Sequence, residues 1–311
     1  MSSNLIVEVM LPLALLVAAG GMWPLLFPAL PAERLRAVLS AVVMNLYAPA
    51  LMFSVAATAR IDADLLAVPL LIGLGIFFTG AFLYVLLYRS PLGRRLSNRT
   101  RAALLLAGAF GNVLYLGYPV LSFLYGEAGG RYAAFADMLA SSPLLWSVGV
   151  WAALRFGSDE PRSSAHVWRE WLRLPLVWAF TLGIAINVTG LEIGPLVRAT
   201  RFIGQATVPL MLFVLGLSIS WRQLRPGGAV LGVVGVKLLA APIVVWLLAS
   251  GLAIAPQPAR AAVIEAAMPT MLFAVIVADR FALDVRAAAL VIGWSTVLFW
   301  FTLPLWLTLI P

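Results

Sequence analysis

The chain contains no cysteine, which excludes disulfides, thiolate metal ligands and a cysteine nucleophile. Histidine is nearly absent as well. His166 is the single one, at the end of the polar stretch GSDEPRSSAH (Gly157 to His166), and no second histidine or cysteine stands near it to share a metal. It reads as a solvated loop side chain. Neither H-E-x-x-H nor G-x-S-x-G occurs, so an intramembrane hydrolase has no obvious nucleophile, base or metal set, and no catalytic residue, metal or cofactor is expected. No two aspartates adjoin in the manner of a sodium/proton antiporter. Charge is scarce, at 11% of 311 residues against about 25% in an ordinary soluble chain. No low-complexity segment or long linker interrupts the sequence.

Apolar residues fill the space instead. They make up 63% of the chain, and mean hydropathy is +1.01. Apolar runs lie at 5–27, 36–58, 65–88, 101–125, 133–156, 174–190, 197–219, 228–251, 260–278 and 286–309. Each is near the length of about 20 residues that a helix needs to cross a bilayer. The expectation is an all-α integral membrane protein of ten transmembrane helices. The leader before the first run has no Lys or Arg and the run exceeds a signal core, so the run is read as a retained span.

The net charge of +8 suggests nucleic acid at first sight. The basic residues instead sit in short loops, 15 on one side of the expected membrane and 5 on the other, with Lys237 alone inside a span. Positive residues collect on the cytoplasmic side, so both termini are expected outside the cytoplasm, in a bacterial-type inner membrane, with no nucleic-acid partner. Trp168, Trp171 and Trp221 on the inner side, and Trp246 and Trp306 on the outer, are placed as interfacial anchors would be.

The two halves of the chain are similar. SSPLLW (Ser141 to Trp146) aligns with STVLFW (Ser295 to Trp300) at an offset of 154. Asn45-xxx-Pro49 followed by ALMF aligns with Gln205-xxx-Pro209 followed by LMLF at 160, Arg101 with Arg260 at 159, and Pro12 and Gly20 with Pro175 and Gly183 at 163. The matches keep their order. Five spans per half would insert the second half upside down, giving two inverted five-helix repeats, 1–156 and 174–311, joined by a cytoplasmic loop at 157–173. That is the usual build of a secondary transporter.

Within span four, GNVLYLGYP (Gly111 to Pro119) sets Gly111, Asn112, Gly117 and Pro119 in a run of helix formers, with Tyr115 between them a further candidate for substrate contact. Gly loosens the backbone and Pro removes a donor. Two readings stand: a packing kink, or a broken helix whose freed backbone groups bind substrate, which is tolerated only inside protein or beside a cavity. MPTMLF (Met268 to Phe273) places Pro269 and Thr270 at the equivalent point of span nine, and paired interruptions favour a site. Asn45 and Gln205, beside Pro49 and Pro209, either contact substrate or bond neighbouring helices where spans two and seven bend. Lys237, about ten residues into span eight, falls near the midplane, where a lysine is functional, paired or snorkelling. Glu8, Asp137 and Glu265 are expected within a turn or two of the outer ends of their spans.

At these residues the chain resembles the auxin efflux carrier family, which includes bacterial malate and malonate permeases and plant auxin exporters. The family's G-N-x-G-x-L-G-x-P is matched by Gly111, Asn112, Leu116, Gly117 and Pro119, with Leu114 where a small residue is usual. Its A-x-P-T and following Ala are matched by Ala267, Pro269, Thr270 and Ala278. Pro49 and Phe53 match its second span, and Ser295, Thr296 and Pro304 its tenth. The resemblance implies a fold like that of bile-acid symporters, with spans four and nine unwinding and crossing at their prolines. It also implies a scaffold of spans 1, 2, 6 and 7, a moving unit of spans 3–5 and 8–10, a homodimer, and an elevator-like movement. The family often has Asn shortly after Pro-Thr; here Met271, Leu272 and Phe273 follow, which weakens the case for a small dicarboxylate and admits a more apolar organic anion. The resulting expectation is a carrier for a small organic anion, bound near the crossover. A sodium-coupled bile-acid-type symporter and a non-transporting ligand sensor are the alternatives.

Overall fold

The computed structural model describes residues 3–157, 171–218 and 226–310. Its elements, in chain order, are α1 (Ser3–Leu26), α2 (Ala32–Ala57), α3 (Ala63–Arg89), α4 (Asn98–Ala109) and α5 (Val113–Gly157) in the first half. The second half has α6 (Pro175–Thr189), α7 (Gly194–Leu217), α8 (Gly228–Gly251), α9 (Pro256–Ala266), α10 (Phe273–Arg280) and α11 (Val285–Leu309). Among the described residues there is no strand, only one isolated β-bridge. His166, Trp168, Trp221 and most of the expected connecting loop lie outside the described residues.

Six helices, α2, α3, α5, α7, α8 and α11, are long and apolar enough to cross a membrane. The expected spans four and nine are not continuous rods. Each stops at its Pro/Gly segment, leaving α4 of 12 residues, α9 of 11 and α10 of 8. The second part of span four and span five run together as α5, interrupted at Gly126 (φ 60°, ψ −139°). Large apolar side chains face outward around the molecule, Phe202 at 76% and Phe301 at 74% exposure among them. A surface of that kind is stable against lipid rather than water.

Local signals fix the ends. Asp62 caps α3 by accepting from the Leu65 N–H at 2.9 Å, and Ser97 caps α4 by accepting from the Thr100 N–H at 3.2 Å. Asp284 caps α11 at the Ala287 N–H (3.0 Å) and also accepts from the Thr100 hydroxyl (2.8 Å), which ties the starts of α4 and α11 together. Prolines open α6, α7 and α9 at positions where the missing N–H costs nothing.

Packing sorts the helices into two groups. In the first, α1 packs on α7, and α2 packs on α6 and α7. Backbones touch there: a Cβ at Gly20 would overlap the Phe213 carbonyl oxygen, one at Gly216 the Val17 carbonyl oxygen, and one at Gly204 would lie 2.7 Å from the Leu51 Cα. The amide of Asn187 on α6 donates to the carbonyls of Ala56, Ala57 and Ala59, closing the end of α2. In the second group, α3, α4, α5, α8, α9, α10 and α11 pack on one another. Contacts between the groups are sparser.

Candidate functional site

The two helix breaks meet. Phe110 and Asn112 leave helical geometry (φ −104°, ψ 123° and φ −83°, ψ 65°). The Asn112 N–H donates to the Pro269 carbonyl at 2.7 Å, and the Met271 N–H donates to the Phe110 carbonyl at 3.0 Å. These bonds form the antiparallel bridge between Gly111 and Thr270. Backbone groups that the breaks release from their own helices thus satisfy each other, as the interior of a membrane protein demands. Thr270 fastens the arrangement to its surroundings: its hydroxyl donates to the Ala107 carbonyl at 2.8 Å, and its N–H donates to the Ser295 hydroxyl at 3.0 Å.

Each break turns two helix ends toward the bridge. Asn112 caps α5, its Oδ1 accepting from the Tyr115 N–H at 3.2 Å. The first turn of α5 is π-helical, Val113–Gly117, and Pro119 enters the α-helical part at its start. The Asn112 Nδ2 is buried and has no hydrogen-bond partner among the described residues. Tyr115 is buried, donates its hydroxyl to the Met44 sulfur at 2.6 Å, and stacks at 6.4 Å on Phe273 at the start of α10.

Three ionisable side chains surround this bridge. Lys237 is 2% exposed, on a π-helical turn of α8 (Val236–Ala240), and its Nζ donates to the Ala266 carbonyl at 2.7 Å, at the C-terminal end of α9. The cation meets the negative end of that helix. A Cβ added at Gly111 would lie 3.0 Å from the Lys237 Nζ, so glycine there lets the ammonium reach the bridge. Glu265, in the last turn of α9, is fully buried, and neither carboxyl oxygen has a hydrogen-bond partner among the described residues. Its carboxyl group fills the space where Gly117 lacks a side chain. Asp137 accepts from the Ser142 hydroxyl at 3.0 Å through Oδ2, while Oδ1 has no partner among the described residues.

Two small cavities separate these groups. One of about 20 Å³ touches Thr79, Gly111, Lys237, Glu265 and Ala266. The other, of about 10 Å³, touches Asn112, Tyr115, Asp137, Ser142 and Trp171. Each is about the volume one water needs.

The membrane transport protein family, that of the auxin efflux carriers, matches residues 5–307. The chain belongs to that family. An uncharacterized transporter of Methanothermobacter thermautotrophicus is 29% identical over 277 residues, covering 88% of this chain and 89% of that protein. An uncharacterized transporter of Methanocaldococcus jannaschii is 24% identical over 254 residues, 78% of each chain. A putative malonate transporter of Rhizobium meliloti is 25% identical over 192 residues, 60% of each. With its apolar helices, this auxin efflux carrier family member is an integral membrane protein of a transporter family.

The structure brings together Gly111, Asn112, Tyr115, Thr270, Pro269 and Lys237 of the expected site residues, with Pro119 two turns along α5. It places Asn45 and Gln205 elsewhere. Asn45 is exposed and donates back to the Ala41 carbonyl at 2.8 Å, and Gln205 is exposed on the rim of a different cavity. Asp137 and Glu265, expected near outer span ends, are instead buried beside the breaks: Glu265 because α9 stops at Ala266, and Asp137 because a π-helical turn within the continuous α5 borders the Asn112 cavity. The side chain of Glu8 lies outside what is described. Trp306 is not an exposed anchor but is buried, donating to the Leu238 carbonyl at 2.9 Å in the π-helical turn that carries Lys237. Trp171 turns its indole inward onto the Asn112 cavity.

Proposed function

We propose that this chain is a secondary transporter of a small organic anion, and that the anion binds where the two helix breaks meet. The observation that carries this reading is the backbone pairing of Gly111 and Thr270, two interruptions in corresponding places of the two halves, with Lys237 and the unpartnered Asn112 amide beside it. The starts of α5 and α10 direct their free N–H groups and positive dipole ends to this point, as broken helices do toward anionic substrates. Asn112, Tyr115, Thr270 and Lys237 supply the polar contacts, and Met271 and Phe273 the apolar wall.

Support for movement comes from packing. The cavities beside the breaks are too small for an organic anion, so the walls must part to admit one. The backbone-to-backbone contacts of α1, α2, α6 and α7 suit a fixed scaffold, and the sparser seam suits sliding of the remaining helices in an elevator-like alternation. In this reading the chain spans the inner membrane ten times as two inverted repeats with broken, crossing helices, places both termini outside the cytoplasm, and works as a homodimer. The Rhizobium relative's name makes malonate the first substrate to try. The test is uptake of labelled malonate and of an apolar carboxylate such as benzoate into proteoliposomes. Uptake of neither by a folded protein, with binding retained, would favour a sensor.

A second reading, sodium-coupled symport of the bile-acid type, is favoured by the two unpartnered carboxyl oxygens of Glu265 beside the break. Replacing sodium with choline during uptake separates the two.

A further inference from the structure

A larger cavity, of about 290 Å³, lies on the seam between the helix groups. From the first group, Thr58 just past the end of α2 and Arg201 and Gln205 of α7 line it; from the second, α5 lends Tyr118, Glu127 and Arg131. It begins about 9 Å along α5 from Asn112, at a rise of 1.5 Å per residue, so it adjoins the proposed transport site without sharing its buried charges. The volume is near the lower end for small-ligand pockets, about 300 Å³.

Its electrostatics suit an anion. Arg201 pairs with Glu127 at 2.8 Å across the seam and reaches the Thr58 hydroxyl at 3.5 Å. Arg131 is half-buried and forms no ion pair among the described residues. Its Nε donates to the Glu127 carbonyl at 3.2 Å, which orients the guanidinium without neutralising it. Two guanidinium groups against one carboxylate leave one positive charge in the cavity. Leu51, Val55 and Val208 form its apolar wall.

We propose that this cavity is a separate binding site for an organic carboxylate. The ligand's carboxylate takes the forks of Arg131 and Arg201, and its body lies on the apolar wall. Glu127 competes for Arg201. The pair is exposed, at 45% and 74% for the two side chains, and exposed pairs are weak, so a ligand displaces Glu127 readily. Displacement also removes a tie between α5 and α7, which couples occupancy of the cavity to freedom of the seam. The choice of a carboxylate rests on the transport reading above; the geometry of the arginines does not.

Benzoate is the probe, titrated calorimetrically into the purified full chain in nanodiscs at low salt, alongside the uptake assay. Arg131→Gln should weaken binding about tenfold, the loss expected for one charge-assisted contact. Arg131→Lys should recover part of it, because the charge remains and the fork does not. Glu127→Gln should tighten binding about threefold by removing the competitor. Asn112→Ala should keep this binding while losing uptake. The proposal falls if wild-type protein binds no benzoate at about 10 mM, a level that detects even very weak affinity. It also falls if Arg131→Gln and Arg131→Lys both bind like wild type, or if Asn112→Ala removes the binding and the arginine variants do not. Arg131-dependent binding in a protein that transports nothing would sink the transport reading and leave this site standing.

Discussion

Replacing Lys237 by Gln gives a quantitative test of how the buried charges beside the breaks are held. The Nζ is 2% exposed and donates to the Ala266 carbonyl at 2.7 Å, and Glu265 lines the same cavity of about 20 Å³. The two are not a contact ion pair; no oxygen–nitrogen distance within 4.0 Å joins them among the described residues. They nonetheless face each other across a space with room for one water, where little solvent screens them. Loss of the charged hydrogen bond alone is worth about 1.5–3 kcal/mol. Stranding a buried partner charge raises the loss to about 3–5 kcal/mol. In melting temperature the two losses overlap, at roughly 3–12 and 6–20 °C, so the double variant decides between them. At about 2–4 °C per kcal/mol, Lys237→Gln should lower the melting temperature of the purified protein by roughly 6–20 °C if Glu265 is stranded. The double variant Lys237→Gln/Glu265→Gln should then recover at least about 1 kcal/mol relative to the sum of the single effects. Strict additivity would refute the coupling and leave Lys237 as a cap on α9. The same samples answer the functional question: if the ammonium offsets substrate charge, Lys237→Gln weakens binding of an anionic substrate more than that of a neutral analogue.

Asn112→Ala should cost about 0.5–2 kcal/mol of stability through the lost cap on α5, and weaken substrate binding about ten- to a hundred-fold, since one bond to a charged ligand is lost; unchanged affinity in a folded variant would leave Asn112 with the capping role alone. Gly117→Ala should destabilise by about 1–3 kcal/mol because the new Cβ overlaps the Glu265 carboxyl group, and Glu265→Ala should relieve it, as melting curves will show. Asn187→Ala should cost about 1–3 kcal/mol by freeing the carbonyls that end α2, with no change in substrate selectivity. For orientation, a cysteine at Ser97 should be shielded from an impermeant reagent in intact cells and one at Glu192 should react; both positions are exposed, so the reverse pattern would invert the topology.

The sequence located the breaks because Gly, Asn and Pro have backbone preferences that read locally, without knowledge of neighbours. Lys237 was equally visible, as a charge where none is tolerated without reason. What stayed hidden was direction. A helix that is apolar all round carries no amphipathic stripe, so nothing in its pattern says which face meets protein and which meets lipid. Asn45 and Gln205 occupy equivalent places in the two halves, yet one bonds back to its own helix and the other borders the arginine cavity. Glu265 could not be placed either, because its surroundings come from α3, α5 and α8, which lie far off in sequence. Asn187 carries no local signal for the same reason: the three carbonyls it closes are about 130 residues away.

The close approach of α1 to α7 also bears on how the molecule is made. Gly20 and Gly216 seat each helix against the other's backbone, and α7 is the chief packing partner of α1. About 200 residues separate them, so at about 5–20 residues per second the first helix waits some 10–40 s for its mate to leave the ribosome. During that interval its glycine face lies against lipid or a helper. Chains stopped short of α7 should therefore hold α1 in an easily extracted, protease-sensitive form, and lengthening the nascent chain past Leu217 should abruptly protect it.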